Sequence, residues 1–138
     1  MSLIQLIYVS AATHEMTADE LRAILDLSVR HNTRNEVTGL LLYFDRTFMQ
    51  VIEGPESAID ELMTRLLSDP RHYGVNVLSR SEVPAREFAQ WSMGFKGFSQ
   101  SDLLGYPNYA PFFSDGFKAE QLGTPGLAIE IMRVVANS

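Results

Sequence analysis

A mixed α/β sandwich is predicted by three observations. The run Leu3 to Ala11 alternates, and Val37 to Phe44 and Phe48 to Glu53 read as two more strands joined by a short turn; apolar stripes at helical spacing follow Thr17 and Gly54-Pro55; and glycine and proline break up the tail from Phe98 onward.

The first strand, Leu3 to Ala11, is rich in Ile, Val and Tyr, with Ile4, Leu6, Tyr8 and Ser10 on one face and Leu3, Gln5, Ile7 and Val9 on the other. Thr17-Ala-Asp-Glu20 fits a capping box, so a helix starts there and runs to about Asn32. Its stripe is Leu21, Ile24, Leu25, Ser28 and Val29, and His31 and Asn32 follow one turn on. Val37 to Phe44 is a strand entered through Val-Thr-Gly, and the Asp45-Arg46-Thr47 turn returns the chain antiparallel through Phe48 to Glu53. Pro55 suits the first position of a second helix, whose stripe is Ile59, Leu62, Met63, Leu66 and Leu67, flanked by Arg65 and ended by Asp69-Pro70. Val75 to Val83 reads as a fourth strand and Phe88 to Phe95 as a fifth, with Trp91, Met93 and Phe95 on one face. Thr124-Pro125 caps a last helix through Leu127, Ile131 and Val134 or Val135.

That order is the α/β (α+β) pattern of a ferredoxin-like βαββαβ sandwich with an added fifth strand and short C-terminal helices. Right-handed crossovers put both helices on one sheet face. A slot floored by Tyr8 and Gln50 then runs between them, with His31, Asn32 and Arg65 over the same end of the sheet. Residues 1–97 are expected to carry the sandwich, and 98–138 a helical extension packing on the sheet or on a partner.

At 138 residues the chain is long enough for one domain with a real core. It has no cysteine, which excludes disulfides, zinc-thiolate sites and thiol nucleophiles. The three histidines, His14, His31 and His72, lack metal-ligand spacing. A net charge of −6 without a basic run argues against nucleic acid, whose binding depends on phosphate neutralisation. The N-terminus lacks a basic leader and is too short and polar for a membrane span, so no membrane partner and a cytoplasmic location are expected.

The polar residues in apolar patterns carry the functional signal. Gln50 sits between Phe48 and Ile52 on one strand face, and an amide buried without partners costs roughly 1–3 kcal/mol. Ser28, His31 and Asn32 end a helical stripe that begins apolar. Both point to a polar ligand beneath the helices, a bound cofactor.

Five pieces together resemble the BLUF domain family, sensors of blue light using FAD, in its short stand-alone type. They are a first strand with Tyr8; Asn32 followed by Val37-Thr-Gly-Leu-Leu; Phe48-x-Gln50-x-x-Glu53-Gly54; Asp69-x-Arg71-His72; and Trp91-Ser92-Met93. The resemblance covers Leu3 to Met93. It implies a flavin ring between the two helices, with Tyr8 and Gln50 beside its reactive edge, Asn32 on one ring carbonyl and Arg65 on the other. It further implies contacts from Ile24, Leu25, Ser28, His31, Leu66, Arg71 and His72. Many members carry Asn where this chain has His31, a departure that concerns the hydrogen bond made there. The implied cofactor is FAD, for which FMN or riboflavin can substitute.

The resemblance also implies photochemistry rather than enzymatic turnover. Tyr8 gives an electron to the photoexcited flavin, Gln50 routes the proton, and Gln50 ends rotated or tautomerised with a stronger hydrogen bond to the flavin. Trp91 or Met93 on the fifth strand relays the change to the segment after Phe98, and from there to a downstream protein partner or through a homo-oligomer. Two other functions fit the bare pattern: a cofactor-free ferredoxin-like regulatory or small-molecule-binding module, and a flavin-dependent or acylphosphatase-like enzyme. Against the enzyme stands the absence of a nucleophile–base pair, a nicotinamide fingerprint and a phosphate-cradling glycine loop.

Overall fold

A computed structural model describes residues 2–44, 46–88 and 94–97 together with Arg133. The elements in chain order are β1 (Leu3–Ala12), α1 (Ala18–Asn35), β2 (Thr38–Phe44), β3 (Thr47–Pro55), α2 (Glu56–Leu67), β4 (His72–Glu82) and β5 (Gly94–Gly97). They form one sheet in the order β4-β1-β3-β2-β5, antiparallel among the first four strands, with β5 parallel to β2. This is the expected ferredoxin-like arrangement with its added strand.

Both helices pack on one face of the sheet. That face supplies Ile4, Leu6, Tyr8, Leu41, Tyr43, Phe48 and Ile52 to a core closed by Ile59, Leu62, Met63 and Leu66 of α2 and by Leu21, Ile24 and Leu25 of α1. The opposite face is also buried: Ile7, Leu40, Leu42, Met49 and Val51 are all at most 1% exposed. Period-two alternation therefore separates two buried faces here, rather than a dry face from a wet one.

The capping box on α1 is complete, with Thr17 Oγ1 accepting from Glu20 N–H and Glu20 Oε1 accepting from Thr17 N–H, each at 3.1 Å. The helix runs to Asn35, one turn beyond the expected end near Asn32. It stops through a left-handed residue, Glu36 (φ 60°), while the Asn32 carbonyl accepts both the Glu36 and the Val37 N–H. That carbonyl bonding holds a turn that glycine more often fills, so no glycine marks it in the sequence.

Two residues assigned to the apolar stripes face outward: Val29 is 37% and Leu67 68% exposed. Each stands eight positions after the first stripe residue, about 80° round the helix at roughly 100° per residue. The burial stripe of α1 instead passes through Ser28 and the buried Asn32. Pro55 ends β3, pairing with Leu3, and is the N-cap of α2 rather than its first residue.

Gly39 is fixed by close approach, because a Cβ there would lie 2.0 Å from the Val51 carbonyl oxygen. β4 starts at His72, earlier than the expected Val75. It reaches back across a left-handed Gly74 (φ 64°), where the ladder to β1 shifts register between Val9 and Ala11; a second shift falls between Ile7 and Tyr8. Phe88, expected to open the fifth strand, lies outside the sheet and is buried, and the described β5 begins at Gly94. Trp91 and Met93 lie outside the described residues, as do the expected C-terminal helices except for Arg133.

Candidate functional site

The site is built on one line across the sheet: Leu41, Gln50 and Tyr8 stand directly opposite one another on β2, β3 and β1, so all three share the helix-facing side. Tyr8 and Gln50 are 2% and 6% exposed, and the Tyr8 hydroxyl donates a hydrogen bond to Gln50 Oε1. With its oxygen engaged, the Gln50 amide presents its nitrogen as a donor. Burial pushes the Tyr8 phenol well above its usual pKa, and the Asp69 carboxylate pushes it further the same way, so the ring carries its proton at neutral pH.

Above this floor a cleft of about 450 Å³ opens between the helices. Ile24 and Ser28 of α1 wall it on one side and Leu66 of α2 on the other, with Phe48 and Leu41 beneath and Asp69, Arg71 and His72 at its rim. A second cleft of about 420 Å³ shares Ser28, Leu66, Asp69 and Arg71 with the first and is lined further along by Leu27, His31, Asn32, Leu62 and Arg65. Together they make one elongated apolar slot with polar groups at intervals, the common form of a small-molecule site.

Most of the expected site residues converge here: Tyr8, Ile24, Ser28, His31, Asn32, Gln50, Arg65, Leu66, Arg71 and His72 all line one cleft or the other. Leu25 packs into the core and lines neither. Both ring nitrogens of His72 are engaged by the protein, Nε2–H donating to the Leu66 carbonyl at 2.7 Å and Nδ1 meeting Ser10 Oγ at 2.8 Å. Arg71 is likewise taken up: its guanidinium clasps Asp69 through Nε and Nη2, and its backbone N–H donates to Asp69 Oδ1 at 2.9 Å. Those hydrogen bonds hold the Asp69 carboxyl below its ordinary pKa.

Asp69, Phe48 and Leu41 in the first cleft, and Leu27 and Leu62 in the second, are site residues that the pattern reading did not assign. Phe48 and Leu41 share the Gln50 face by alternation and register, so strand pairing would have found them. Asp69 enters the sequence reading as a helix terminator and as the first residue of the Asp69-x-Arg71-His72 piece, without a role in the site.

Arg65 and Asn32 test whether the slot suits a flavin. Arg65 Nη1 donates to His31 Nδ1 at 2.6 Å, and its Nε is buried without a hydrogen-bond partner among the described residues. Asn32 is 2% exposed on the same wall. A guanidinium N–H and a primary amide beside an apolar slot match the alternating carbonyls and N–H of an isoalloxazine's pyrimidine edge. The residues fit the group.

The described residues contain no cluster of three or more His, Asp or Glu side chains arranged for a metal, and no described helix is long and apolar enough to cross a membrane.

Comparison with known proteins shows the family to which the chain belongs. The photoactivated adenylate cyclase subunit beta of Euglena gracilis is 33% identical over 93 residues, which are 67% of this chain and 11% of that protein. The dark-state structure of BlrB, a BLUF protein, aligns with a TM-score of 0.82 at 30% identity, covering 99% of this chain and 96% of BlrB. Klebsiella pneumoniae BlrP1 with FMN and cyclic diGMP aligns with a TM-score of 0.68 at 28% identity, over 83% of this chain and 35% of BlrP1. The cyclase chain is thus far longer than the stretch it shares with this one. The family described as sensors of blue-light using FAD matches residues 3–94, the span that holds β1 to β4, both helices and every wall of the slot. The chain belongs to that family, the BLUF flavin-binding sensors.

Proposed function

We propose that the slot binds FAD and that Tyr8 and Gln50 convert blue light into a change of hydrogen bonding within the core. The observation that carries this reading is the Tyr8–Gln50 hydrogen bond at the floor of the slot, made by two side chains held opposite each other by strand register. When bound, the flavin supplies light absorption and accepts an electron. Asn32 and Arg65 hold its carbonyl edge, and Ile24, Ser28 and Leu66 shield it from water.

Tyr8 is the electron donor. Its phenol is neutral in the dark, so losing an electron makes it strongly acidic, and Gln50 Oε1 is already placed to take the proton. Gln50 has an acceptor at one end of its amide and donors at the other, so rotation or tautomerisation reverses what it offers the slot. The electron and proton then return to Tyr8, and the altered amide persists.

The route outward is supported by the sheet. Leu41 stands opposite Gln50 on β2 and is paired on its other side with Phe95 of β5. The change passes along β5 and the adjoining Trp91 or Met93 to residues 98–138, and from there to a downstream protein or a second copy of the chain in the cytoplasm. FMN and riboflavin share the ring and can replace FAD in the slot.

Absorbance tests the proposal. Purified protein is expected to be yellow and to show a red shift under blue light that reverses in the dark. A colourless protein that refuses added FAD overturns it.

A further inference from the structure

His31 and Arg65 come from different helices and meet at a single hydrogen bond, Arg65 Nη1 to His31 Nδ1 at 2.6 Å. A guanidinium has donors only, so His31 Nδ1 is the acceptor and the imidazole is the neutral tautomer with its proton on Nε2. The same guanidinium carries a buried Nε–H with no partner among the described residues, on the wall that Asn32 shares. A buried donor left unmet costs free energy, so its position marks where an acceptor belongs. Arginine has several rotatable bonds, and one fixed N–H narrows where the rest of its fork points.

We propose that neutral His31 is a positioning residue: it tethers Arg65 by one N–H and thereby holds the buried Nε–H toward the carbonyl edge of the flavin, and its protonation releases the tether and weakens flavin binding in acid. This rests on the reading of the slot as a flavin site. A protonated imidazole has no lone pair for Arg65 and repels it.

The surroundings decide when the tether holds. Burial lowers the pKa of His31, and Arg65 of α2 and Arg34 and Arg30 of its own helix push the same way, while Glu61 of α2 opposes them. The neutral form, and with it the tether, is therefore present at neutral pH and lost as pH falls through that lowered value.

The experiment is titration of riboflavin into flavin-free full-length protein between pH 5 and pH 8, read by quenching of riboflavin fluorescence. Wild type is expected to bind about tenfold more weakly at the acid end. His31→Asn keeps an acceptor oxygen near the Nδ1 position at every pH and is expected to bind as wild type does at pH 8, with a flat profile. His31→Leu is expected to match Arg65→Met at pH 8, and the double variant to lose no more than either. A second measurement, the nitrogen NMR spectrum of His31 in flavin-free protein, is expected to show the Nε2–H tautomer. Wild-type affinity in His31→Leu, a wild-type pH slope in His31→Asn, or the Nδ1–H tautomer overturns the positioning role. Failure of wild type to bind riboflavin or FAD at pH 8 overturns the reading of the slot itself.

Discussion

The carboxylate of Glu53 accepts the backbone N–H of Phe88 at 2.8 Å on the sheet face turned away from the slot. Glu53 is wholly buried there and also accepts from Gln5 Nε2 at 2.8 Å and from the Glu87 N–H at 3.0 Å. Three donors converge on one carboxylate, and Glu87 is itself clasped by Arg133. Glu53→Gln replaces one acceptor oxygen with a donor that opposes one of these N–H groups. It is expected to lower unfolding stability by about 2–3 kcal/mol while leaving the Tyr8–Gln50 face intact. Urea unfolding checks this, and an unchanged midpoint counts against the clasp.

Tyr8→Phe removes the hydroxyl and leaves the ring, and Gln50→Ala removes the amide. Both are expected to bind flavin and to lose the light-driven red shift, because donor and relay are separate necessities. Difference spectra under blue light decide it, and an intact shift in either variant removes that residue from the mechanism.

Gly39→Ala places a methyl 2.0 Å from the Val51 carbonyl, where both partners are paired backbone and neither can give way. Loss of more than about 3 kcal/mol, or failure to accumulate as soluble protein, is expected. Thermal melting of the variant measures it, and a melt within a degree or two of wild type refutes the packing argument.

Asp69 gives a pH prediction. The Arg71 side chain and backbone hydrogen bonds lower its folded-state pKa relative to the unfolded chain. Its contribution to stability is therefore complete above the unfolded value, near pH 4, and is lost as pH falls through the folded value. Wild type is expected to lose more stability than Asp69→Asn below about pH 4, and equal losses in urea midpoint would remove Asp69 as a contributor.

Much of the sandwich was legible because β1 alternates, β2 and β3 flank a short turn, and α1 carries a complete Thr17–Glu20 box. Gln50 was conspicuous because an amide between Phe48 and Ile52 is chemically out of place. What escaped depends on tertiary partners. α1 extends to Asn35 because the Asn32 carbonyl accepts two N–H groups across a left-handed Glu36, a turn with no glycine to announce it. β4 begins at His72 because Gly74 absorbs an extra residue against β1, which local pattern reads as a break. Val29 and Leu67 were misplaced by a template that treats the eighth residue of a stripe as equal to the seventh. Asp69 became a site residue only once the fold brought it to the rim of the slot, near Tyr8.

The twin irregularities of β4 also bear on the open edge of the sheet. Among the described residues this strand forms the sheet's margin, and it shows Tyr73 and Val77 to solvent at 58% and 47% exposure. An even ribbon with such side chains would be a template for another chain to zip onto. The two kinks deny a newcomer any long stretch of matched amides, so the margin resists fibrous self-association while keeping its greasy residues.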